Sequence, residues 1–251
     1  MAKIAIVTGA SRGLGRNTAL SIARRGGDVI LTYQQRSEEA ESAVAEIKAM
    51  GRKAVAFQLD AGKIADFKPF AERLRKALQQ TWQRDTFDHL VNNAGHGDYA
   101  LIESTTEAQF DGLINVHFKG VYFLTQTLLP LIADGGRIVN LSSGLTRVSY
   151  PGYAAYACAK AAVELLSVYM AKELGSRGIA VNTVAPGAIE TDFGGGVVRD
   201  DPEVNQIFAG MTALGRVGLP DDIGPMIASL LSEDNRWINA QRIEVSGGQG
   251  I

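Results

Sequence analysis

The chain has 251 residues, a length that suits one α/β domain or two small domains. Hydrophobic residues make up 46% and charged residues 21%, which is ordinary for a globular protein. The formal net charge of −2 gives no sign of a nucleic acid or an anionic membrane as a partner.

The cysteine and histidine residues bear on the cellular compartment and on metal dependence. The single cysteine, Cys158, has no partner for an intrachain disulfide, and the N-terminus shows no signal-peptide pattern, so we expect a cytoplasmic protein. The three histidines, His89, His96 and His117, lack the spacing of metal ligands. We therefore expect no metal, which argues against a zinc-dependent alcohol dehydrogenase. The most apolar stretch, 113–133, is interrupted by polar residues and is predicted to be a buried or interface helix.

The chain opens on a short apolar run that leads into a glycine-rich turn. Residues 4–8 are predicted to form a strand, and a helix over 13–25 follows the turn. Glycines at this point let the backbone approach a pyrophosphate closely, and the helix N-terminus favours its negative charge. The spacing of Gly9, Gly13 and Gly15 is G-x-x-x-G-x-G, so the common dinucleotide fingerprint is only approximated. The turn predicts a phosphate site.

Apolar runs and helical patterns alternate along the whole chain. The predicted strands are 4–8, 28–33, 54–58, 89–92, 136–141, 180–184 and 242–245, and the predicted helices are 13–25, 37–50, 64–80, 107–132, 155–176 and 221–231. This alternation predicts parallel strands covered on both faces. Because crossovers are right-handed, the result is a doubly wound α/β sheet of the Rossmann type with seven parallel strands. We expect a single domain over residues 1–251, with a substrate-loop region at about 188–218.

A second site is predicted from Ser143, Tyr156 and Lys160. Tyr156 and Lys160 are four residues apart, so a helix places them on one face with about 5–6 Å between their Cβ atoms. A nearby ammonium lowers the pKa of a phenol from about 10 and prepares it to exchange a proton. Ser143 precedes Tyr156 by thirteen residues and could bond a substrate oxygen. A Y-x-x-x-K pattern alone is common by chance, but a phosphate site in the same domain indicates hydride transfer with a nicotinamide.

The end of the second predicted strand bears on the choice of nicotinamide. A carboxylate there binds the ribose 2′-hydroxyl in proteins that take NAD. The stretch after Tyr33 contains no acid before Glu38. Arg12 and Arg36 could face a 2′-phosphate, because the guanidinium fork matches phosphate geometry; the alternative is that both are surface arginines. The pattern favours NADP over NAD.

Three further motifs complete a known pattern. Asn92-Asn93-Ala94-Gly95 closes the fourth strand, Asn115 lies in the following long helix, and Pro186-Gly187-Ala188-Ile189-Glu190-Thr191 follows the sixth strand. Together with the glycine turn and the Ser143, Tyr156 and Lys160 set, they make the chain resemble the short-chain dehydrogenase/reductase family. The resemblance extends over essentially the whole sequence.

The resemblance implies a fold and an activity. It implies the strand order 3-2-1-4-5-6-7 and hydride transfer between a nicotinamide and a ketone or secondary alcohol. Tyr156 would be the general acid/base, Lys160 would lower its pKa and hold the nicotinamide ribose, and Ser143 would stabilise the substrate oxygen. Asn115 would hold a water molecule that relays protons to Lys160.

The resemblance also implies cofactor contacts. Asp60 would contact the adenine, with a turn or helix-cap role as an equal alternative. Thr191 would bind the nicotinamide carboxamide, and Ile189 would add a backbone contact. Asn93 and Gly95 would brace the sheet and line the adenosine side, or simply form a turn. The predicted cofactor residues are Gly9, Ser11, Arg12, Gly13, Leu14, Gly15, Arg36, Asp60, Ala61, Asn93, Ala94, Gly95, Tyr156, Lys160, Pro186, Gly187, Ile189 and Thr191.

The sequence allows more than one substrate class and more than one oligomeric state. Residues 194–218 are the least regular stretch and could form a lid over the ligand crevice. A 3-oxoacyl-[acyl-carrier-protein] reductase is one alternative, with Arg147 and Arg199 as candidates for a basic docking patch. A nucleotide-sensing protein without catalysis is another. The apolar helices 107–132 and 155–176 resemble the family's subunit contacts, so we expect a homotetramer, with a dimer as the fallback.

Overall fold

The computed structural model describes residues 2–251 and places seven strands in one parallel sheet. The strands are β1 (Ile4–Val7), β2 (Asp28–Tyr33), β3 (Ala54–Gln58), β4 (Phe87–Asn92), β5 (Ile132–Leu141), β6 (Ala180–Pro186) and β7 (Arg242–Val245). Their order is β3-β2-β1-β4-β5-β6-β7, and every neighbouring pair is parallel. The predicted doubly wound sheet is confirmed.

Helices cover both faces of the sheet. They are α1 (Gly13–Arg24), α2 (Ser37–Ala49), α3 (Phe67–Ala77), α4 (Glu107–Ile114), α5 (Gly120–Leu128), α6 (Ala154–Leu174), α7 (Val197–Asp200), α8 (Pro202–Gly210) and α9 (Pro220–Leu230). Because successive side chains of a strand point to opposite faces of the sheet, β1 contributes side chains to two hydrophobic cores. Ala5 and Val7 pack among residues of α1, α2 and α9, whereas Ile4 and Ile6 pack among residues of α3 and α5. One domain results.

The helix predicted over 107–132 is interrupted, and its last residue belongs to a strand. After α4, a π-helical turn spans Asn115–Lys119, and α5 gives way to a 3₁₀ turn at Leu129–Leu131 before β5 begins. His117 lies within this turn and is 1% exposed. Single π turns inside α-helices often mark functional sites. Proline at 130 suits the end of the helix, because it lacks a backbone N–H.

The stretch 194–218 is more regular than predicted. Gly194, Gly195 and Gly196 all have positive φ angles, of 59°, 79° and 82°, and they form the turn that leads into α7. Pro202 then starts α8, and the Asp201 carboxylate caps it by accepting hydrogen bonds from two backbone N–H groups. Two short helices therefore cover this part of the chain.

Helix α6, with the 3₁₀ turn after it, is long and apolar enough to cross a membrane by length and composition alone. It is the one such helix within residues 2–251, and an isolated case is weak evidence for a membrane span. Its inner face carries buried Tyr156, Ala159, Lys160 and Val163, and it packs against β6. We interpret it as a helix of the sheet layer.

Candidate active site

The candidate site lies along the carboxyl edge of the sheet, between β1 and β4, where the strand order reverses. In doubly wound folds this edge is where ligands bind. Four connections meet there: the glycine turn after β1, the Asn93 turn after β4, the Ser143 segment after β5 and the segment after β6. The fold therefore gathers the predicted motifs on one side of the sheet.

The glycine turn is a close-packed backbone cradle. Gly9 and Gly13 have φ angles of 63° and 54°, a region that side chains other than glycine rarely adopt. A Cβ on Gly15 would overlap the carbonyl oxygen of Gly9 and the amide of Asn93. Asn93 Nδ2 in turn donates to the carbonyl oxygens of Thr8 (2.8 Å) and Gly9 (3.2 Å). The Asn93 side chain thus braces the turn, as the sequence suggested.

The N-terminus of α1 offers free donors to an anion. Arg12 precedes the helix in an extended conformation, and no side chain caps the first turn. The first backbone N–H groups of a helix have no intrahelical acceptor and carry a partial positive charge. Behind them, Ser11 is buried and Leu14 packs against the core, so the turn is held firmly. These features fit a pyrophosphate.

Ser143, Tyr156 and Lys160 are brought together at the start of α6. Tyr156 is 6% exposed and Lys160 is 4% exposed. The Lys160 Nζ lies 5.6 Å from the centre of the Tyr156 ring and donates a hydrogen bond to the carbonyl oxygen of Leu141 (2.7 Å). The Ser143 hydroxyl accepts from the backbone N–H of Leu145 (3.2 Å) and is close enough to the phenol to lower its pKa.

The pKa of Tyr156 moves in the direction opposite to the prediction. Burial raises this pKa above its ordinary value of 10, and the Ser143 hydroxyl offsets only part of that change. Lys160 does not lower the pKa as predicted, because its Nζ points to the Leu141 carbonyl and lies over the ring face. Burial also lowers the pKa of Lys160 to about 7. The phenol is therefore protonated, and Lys160 sits near the midpoint of its own titration at neutral pH.

The role predicted for Asn115 stays a prediction. Asn115 begins the π turn between α4 and α5. Two residues later, the ring of His117 stands edge-on to the Tyr156 ring with 5.0 Å between their centres. From the sequence, His117 was considered only as a metal ligand, and its spacing excluded that role. A histidine inside an otherwise apolar run was the available signal.

Aromatic side chains wall the space beside Tyr156. The Phe193 ring, from the segment after β6, lies 5.5 Å from the Tyr156 ring and rests against Gly97. Tyr99 and Tyr153 form an edge-to-face pair at 5.6 Å. The loop before α6 makes a similar pair with α8, between Tyr150 and Phe208. The rings of Phe193 and His117 therefore contact the Tyr156 ring, and two further aromatic pairs lie on the neighbouring segments.

Comparison with known proteins places this geometry in a family. A family model described as enoyl-(acyl carrier protein) reductase matches residues 9–249. A short-chain dehydrogenase from Burkholderia cenocepacia, solved in complex with NADP, is 34% identical, with a TM-score of 0.90 over 98% of this chain and 97% of that one. The chain belongs to the short-chain dehydrogenase/reductase family.

Two further relatives of this short-chain dehydrogenase/reductase carry more specific names. The angucycline C-6 ketoreductase LanV with bound NADP is 36% identical, with a TM-score of 0.93 over 98% of this chain and 95% of that one. The tetrahydroxynaphthalene reductase PfmaG of Pestalotiopsis fici is 34% identical over 98% of this chain and 91% of its own length.

The remaining predicted cofactor residues of this family member line the same edge. Thr191 is buried beside Gly13. Ile189 pairs with Gly218 in an isolated bridge. The others are Pro186 at the end of β6, Gly187 bound to β7, Ala94 against Gly9, Gly95 under His117 and Ala61 behind Gly120.

Asp60 is fixed by local contacts. Its carboxylate accepts hydrogen bonds from the backbone of Gly62 (2.9 Å) and from Gln34 Nε2 (3.0 Å). These contacts give Asp60 the turn role that was its alternative reading. A contact with adenine stays a prediction.

Proposed function

We propose that this protein is an NADPH-dependent ketoreductase that acts on a carbonyl group of a fused aromatic substrate. The observation that carries the proposal is a buried, protonated Tyr156 beside Ser143 and Lys160, with the Phe193 ring against it and the exposed Tyr99 ring on a neighbouring segment. A neutral phenol is the form that carbonyl reduction requires, because the reaction consumes a proton. When bound, the nicotinamide supplies the hydride.

Ser143, Tyr156 and Lys160 have separate roles in the proposed carbonyl reduction. The Ser143 hydroxyl donates a hydrogen bond to the carbonyl oxygen, and the Tyr156 hydroxyl gives that oxygen its proton as negative charge develops there. The resulting phenolate lies beside Lys160, whose pKa of about 7 is far below that of the buried phenol. The Lys160 ammonium, 5.6 Å from the centre of that ring, stabilises the phenolate until a proton from solvent restores Tyr156.

The exposed aromatic side chains favour a flat aromatic substrate. Edge-to-face and stacked aromatic pairs contribute roughly 0.5–1.5 kcal/mol each beyond the area they bury. Phe193 and Tyr99 are 41% and 62% exposed, so their rings are available to such contacts. The names of the ketoreductase and naphthalene-reductase relatives point to substrates of this shape. The region at about 188–218 supplies one wall and is the proposed substrate loop.

We expect fused-ring ketones to outperform aliphatic ones. With NADPH, kcat/KM for a tetralone or a hydroxylated naphthalene substrate should exceed that for an aliphatic ketone of equal size by about tenfold or more, since two aromatic contacts contribute about that factor. The measurement is NADPH oxidation across a substrate panel that includes a 3-oxoacyl thioester. A preference for the thioester or for the aliphatic ketones would contradict the proposed substrate class.

The structure does not favour a carrier-protein reductase. Arg147 is bound to Glu244 and to the carbonyl oxygens of two C-terminal residues. Arg199 is bound to Asp192 and Asp200. Neither arginine presents a free charge to an acidic carrier. The complete Ser143, Tyr156 and Lys160 set also argues against a purely nucleotide-sensing role.

NADP is the proposed cofactor, and Arg12 and Arg36 would hold its 2′-phosphate. Both guanidinium groups are about half exposed, and each is paired with a carboxylate, Asp192 and Glu39 respectively. Hydrogen bonds to charged groups contribute about 1.5–3 kcal/mol. Arg36→Ala and Arg12→Ala should therefore each raise the KM for NADPH by about tenfold or more. The KM for NADH, which lacks the phosphate, serves as the control, and an equal rise for both cofactors would contradict the assignment.

We propose a homotetramer, with a dimer as the fallback. The outer faces of α4, α5 and α6 expose apolar side chains, namely Phe110, Tyr122, Leu165, Val168 and Tyr169. Contiguous exposed apolar surface of this kind is typical of protein interfaces. We expect light scattering after size exclusion to give four subunits, and Leu165→Glu with Tyr169→Glu to give a smaller species. A wild-type monomer would contradict both assemblies.

A further inference from the structure

Glu164 is a carboxylate of α6 that the mechanism above leaves unused. It follows Tyr156 and Lys160 at intervals of four residues, so the helix carries all three on one face. The Glu164 side chain is only 20% exposed. A charged group so largely removed from water is normally paired and hydrogen-bonded. The groups that bind it therefore indicate its role.

A single oxygen atom of Glu164 contacts both sides of the Ser143 segment. Oε1 accepts a hydrogen bond from the buried Ser142 hydroxyl (2.6 Å), and the Thr146 hydroxyl lies 2.8 Å from the same oxygen. Ser142 directly precedes Ser143, and Thr146 ends the short 3₁₀ turn that Ser143 caps. Glu164 therefore fixes the chain on each side of Ser143.

Arg242 of β7 completes this arrangement. Its Nε donates to Glu164 Oε1 (2.7 Å). One of its terminal nitrogens donates to the Thr146 hydroxyl oxygen (3.0 Å) and to the Ser143 carbonyl oxygen (3.4 Å). None of these contacts uses the hydrogen of the Ser143 hydroxyl. That hydrogen stays available to a substrate oxygen, while α6 and β7 hold the backbone that carries it.

The placement of Ser143 matters for the reaction. A donor that stabilises a developing oxyanion must lie about 2.7–3.1 Å from the oxygen atom, and a displacement of about 1 Å can lower a rate by about 10²-fold. Ser143 lies in the connection between β5 and α6, where one short 3₁₀ turn is the regular structure. The contacts with Glu164 and Arg242 give this connection the rigidity that such precision requires.

We propose that Glu164 is the positioning residue of Ser143. Its carboxylate, with Arg242, holds the chain around Ser143 so that the serine hydroxyl meets the carbonyl oxygen of the substrate. Glu164 itself touches neither substrate nor cofactor. The inference rests on the proposed ketoreductase function. The alternative is an ion pair with Arg242 that only fastens β7 to α6.

Two variants separate the hydrogen bonds of Glu164 from its ion pair. Glu164→Ala removes both and should lower kcat for ketone reduction by about 10- to 100-fold, with the Kd for NADPH changed by less than about threefold. Glu164→Gln removes the charge but keeps an amide oxygen that accepts hydrogen bonds, so it should recover most of the lost kcat. Equal losses in the two variants would show that the charge pair alone matters and would overturn the proposal.

Glu173 supplies a matched control on the same helix. Its side chain is exposed, and Glu173→Ala should leave kcat unchanged. Glu164→Ala should fold as well, because Glu164 and Arg242 line a cavity of about 290 Å³ between α6 and β7. Shortening the side chain enlarges this cavity and leaves no sealed void. Equal losses of kcat in Glu173→Ala and Glu164→Ala would overturn the proposal, since any change in α6 would then lower turnover.

A double-mutant cycle with Ser143 gives a result that a packing role would not. If Glu164 acts through Ser143, its own loss should cost little once the serine hydroxyl is gone. Glu164→Ala should therefore lower kcat by less than about twofold in a Ser143→Ala background. Losses that multiply in the double variant would show that Glu164 acts by another route, and the proposal would be wrong.

Amide hydrogen exchange tests the same inference without turnover. The Leu145 N–H donates to Ser143 Oγ (3.2 Å) and so reports on the order of this segment. Glu164→Ala should speed exchange at Leu145 by about tenfold or more and leave Val139, within β5, unchanged. Unchanged exchange at Leu145 would overturn the inference. If the wild-type enzyme reduces no ketone in the panel, the proposed function fails, and the exchange rates still decide whether Glu164 holds this segment.

Discussion

Tyr156→Phe should reduce kcat with any ketone substrate by about 10²- to 10⁴-fold, the usual contribution of a general acid. The substitution removes one oxygen atom and keeps the ring that packs against His117 and Phe193. Folding and NADPH binding should therefore persist. The measurements are steady-state kinetics and cofactor titration by fluorescence.

Tyr153→Phe is the comparison that locates the proton donor. Tyr153 is a neighbouring tyrosine that pairs with Tyr99, and Ala157 stands where an i+4 lysine would be needed. We expect Tyr153→Phe to leave kcat nearly unchanged, because the substitution keeps the ring that pairs with Tyr99 and removes a hydroxyl that is not the proton donor. If Tyr153→Phe lost as much kcat as Tyr156→Phe, or if Tyr156→Phe kept near-normal turnover, the acid assigned here would be wrong.

The sheet was predictable because local patterns specify it. Each of the seven predicted strands corresponds to an observed strand, since short apolar runs separated by helical patterns allow few other topologies. Likewise, a spacing of four residues was sufficient to place Tyr156 beside Lys160, because helix geometry is regular. The glycine turn was predictable for a similar reason, as a positive φ at Gly9 and Gly13 needs no tertiary information.

The missed features depend on tertiary contacts. A helical period of 3.6 residues places His117 on the same inner face as Leu113 and Leu124, but it does not show that the ring lies against Tyr156. The direction of the Tyr156 pKa was also missed. The i+4 spacing shows a nearby cation, but the sequence does not show how deeply the phenol is buried or that Lys160 Nζ bonds to the Leu141 carbonyl.

Lys160→Met should abolish turnover and stabilise the fold at the same time. Without the ammonium the phenolate loses a nearby stabilising cation, so we expect kcat to fall by about 10²- to 10⁴-fold, comparable with other general acid–base losses. Stability should respond in the opposite direction, because burial holds the pKa of Lys160 at about 7, against 10.5 for an ordinary lysine. The folded state is therefore penalised for holding this charge.

The pH dependence of stability gives this prediction its sign. Below pH 7 Lys160 is charged in both the folded and the unfolded state. The cost of burying the charge in the folded state is therefore largest there. Between pH 7 and about 10.5 the unfolded chain binds more protons than the folded protein, so wild-type stability rises with pH relative to the methionine variant. The gain in Tm from Lys160→Met should thus be largest at pH 6 and shrink towards pH 10. A Tm that falls at pH 6 would mean that the hydrogen bond to Leu141 outweighs burial, and Lys160 would then be a structural cation.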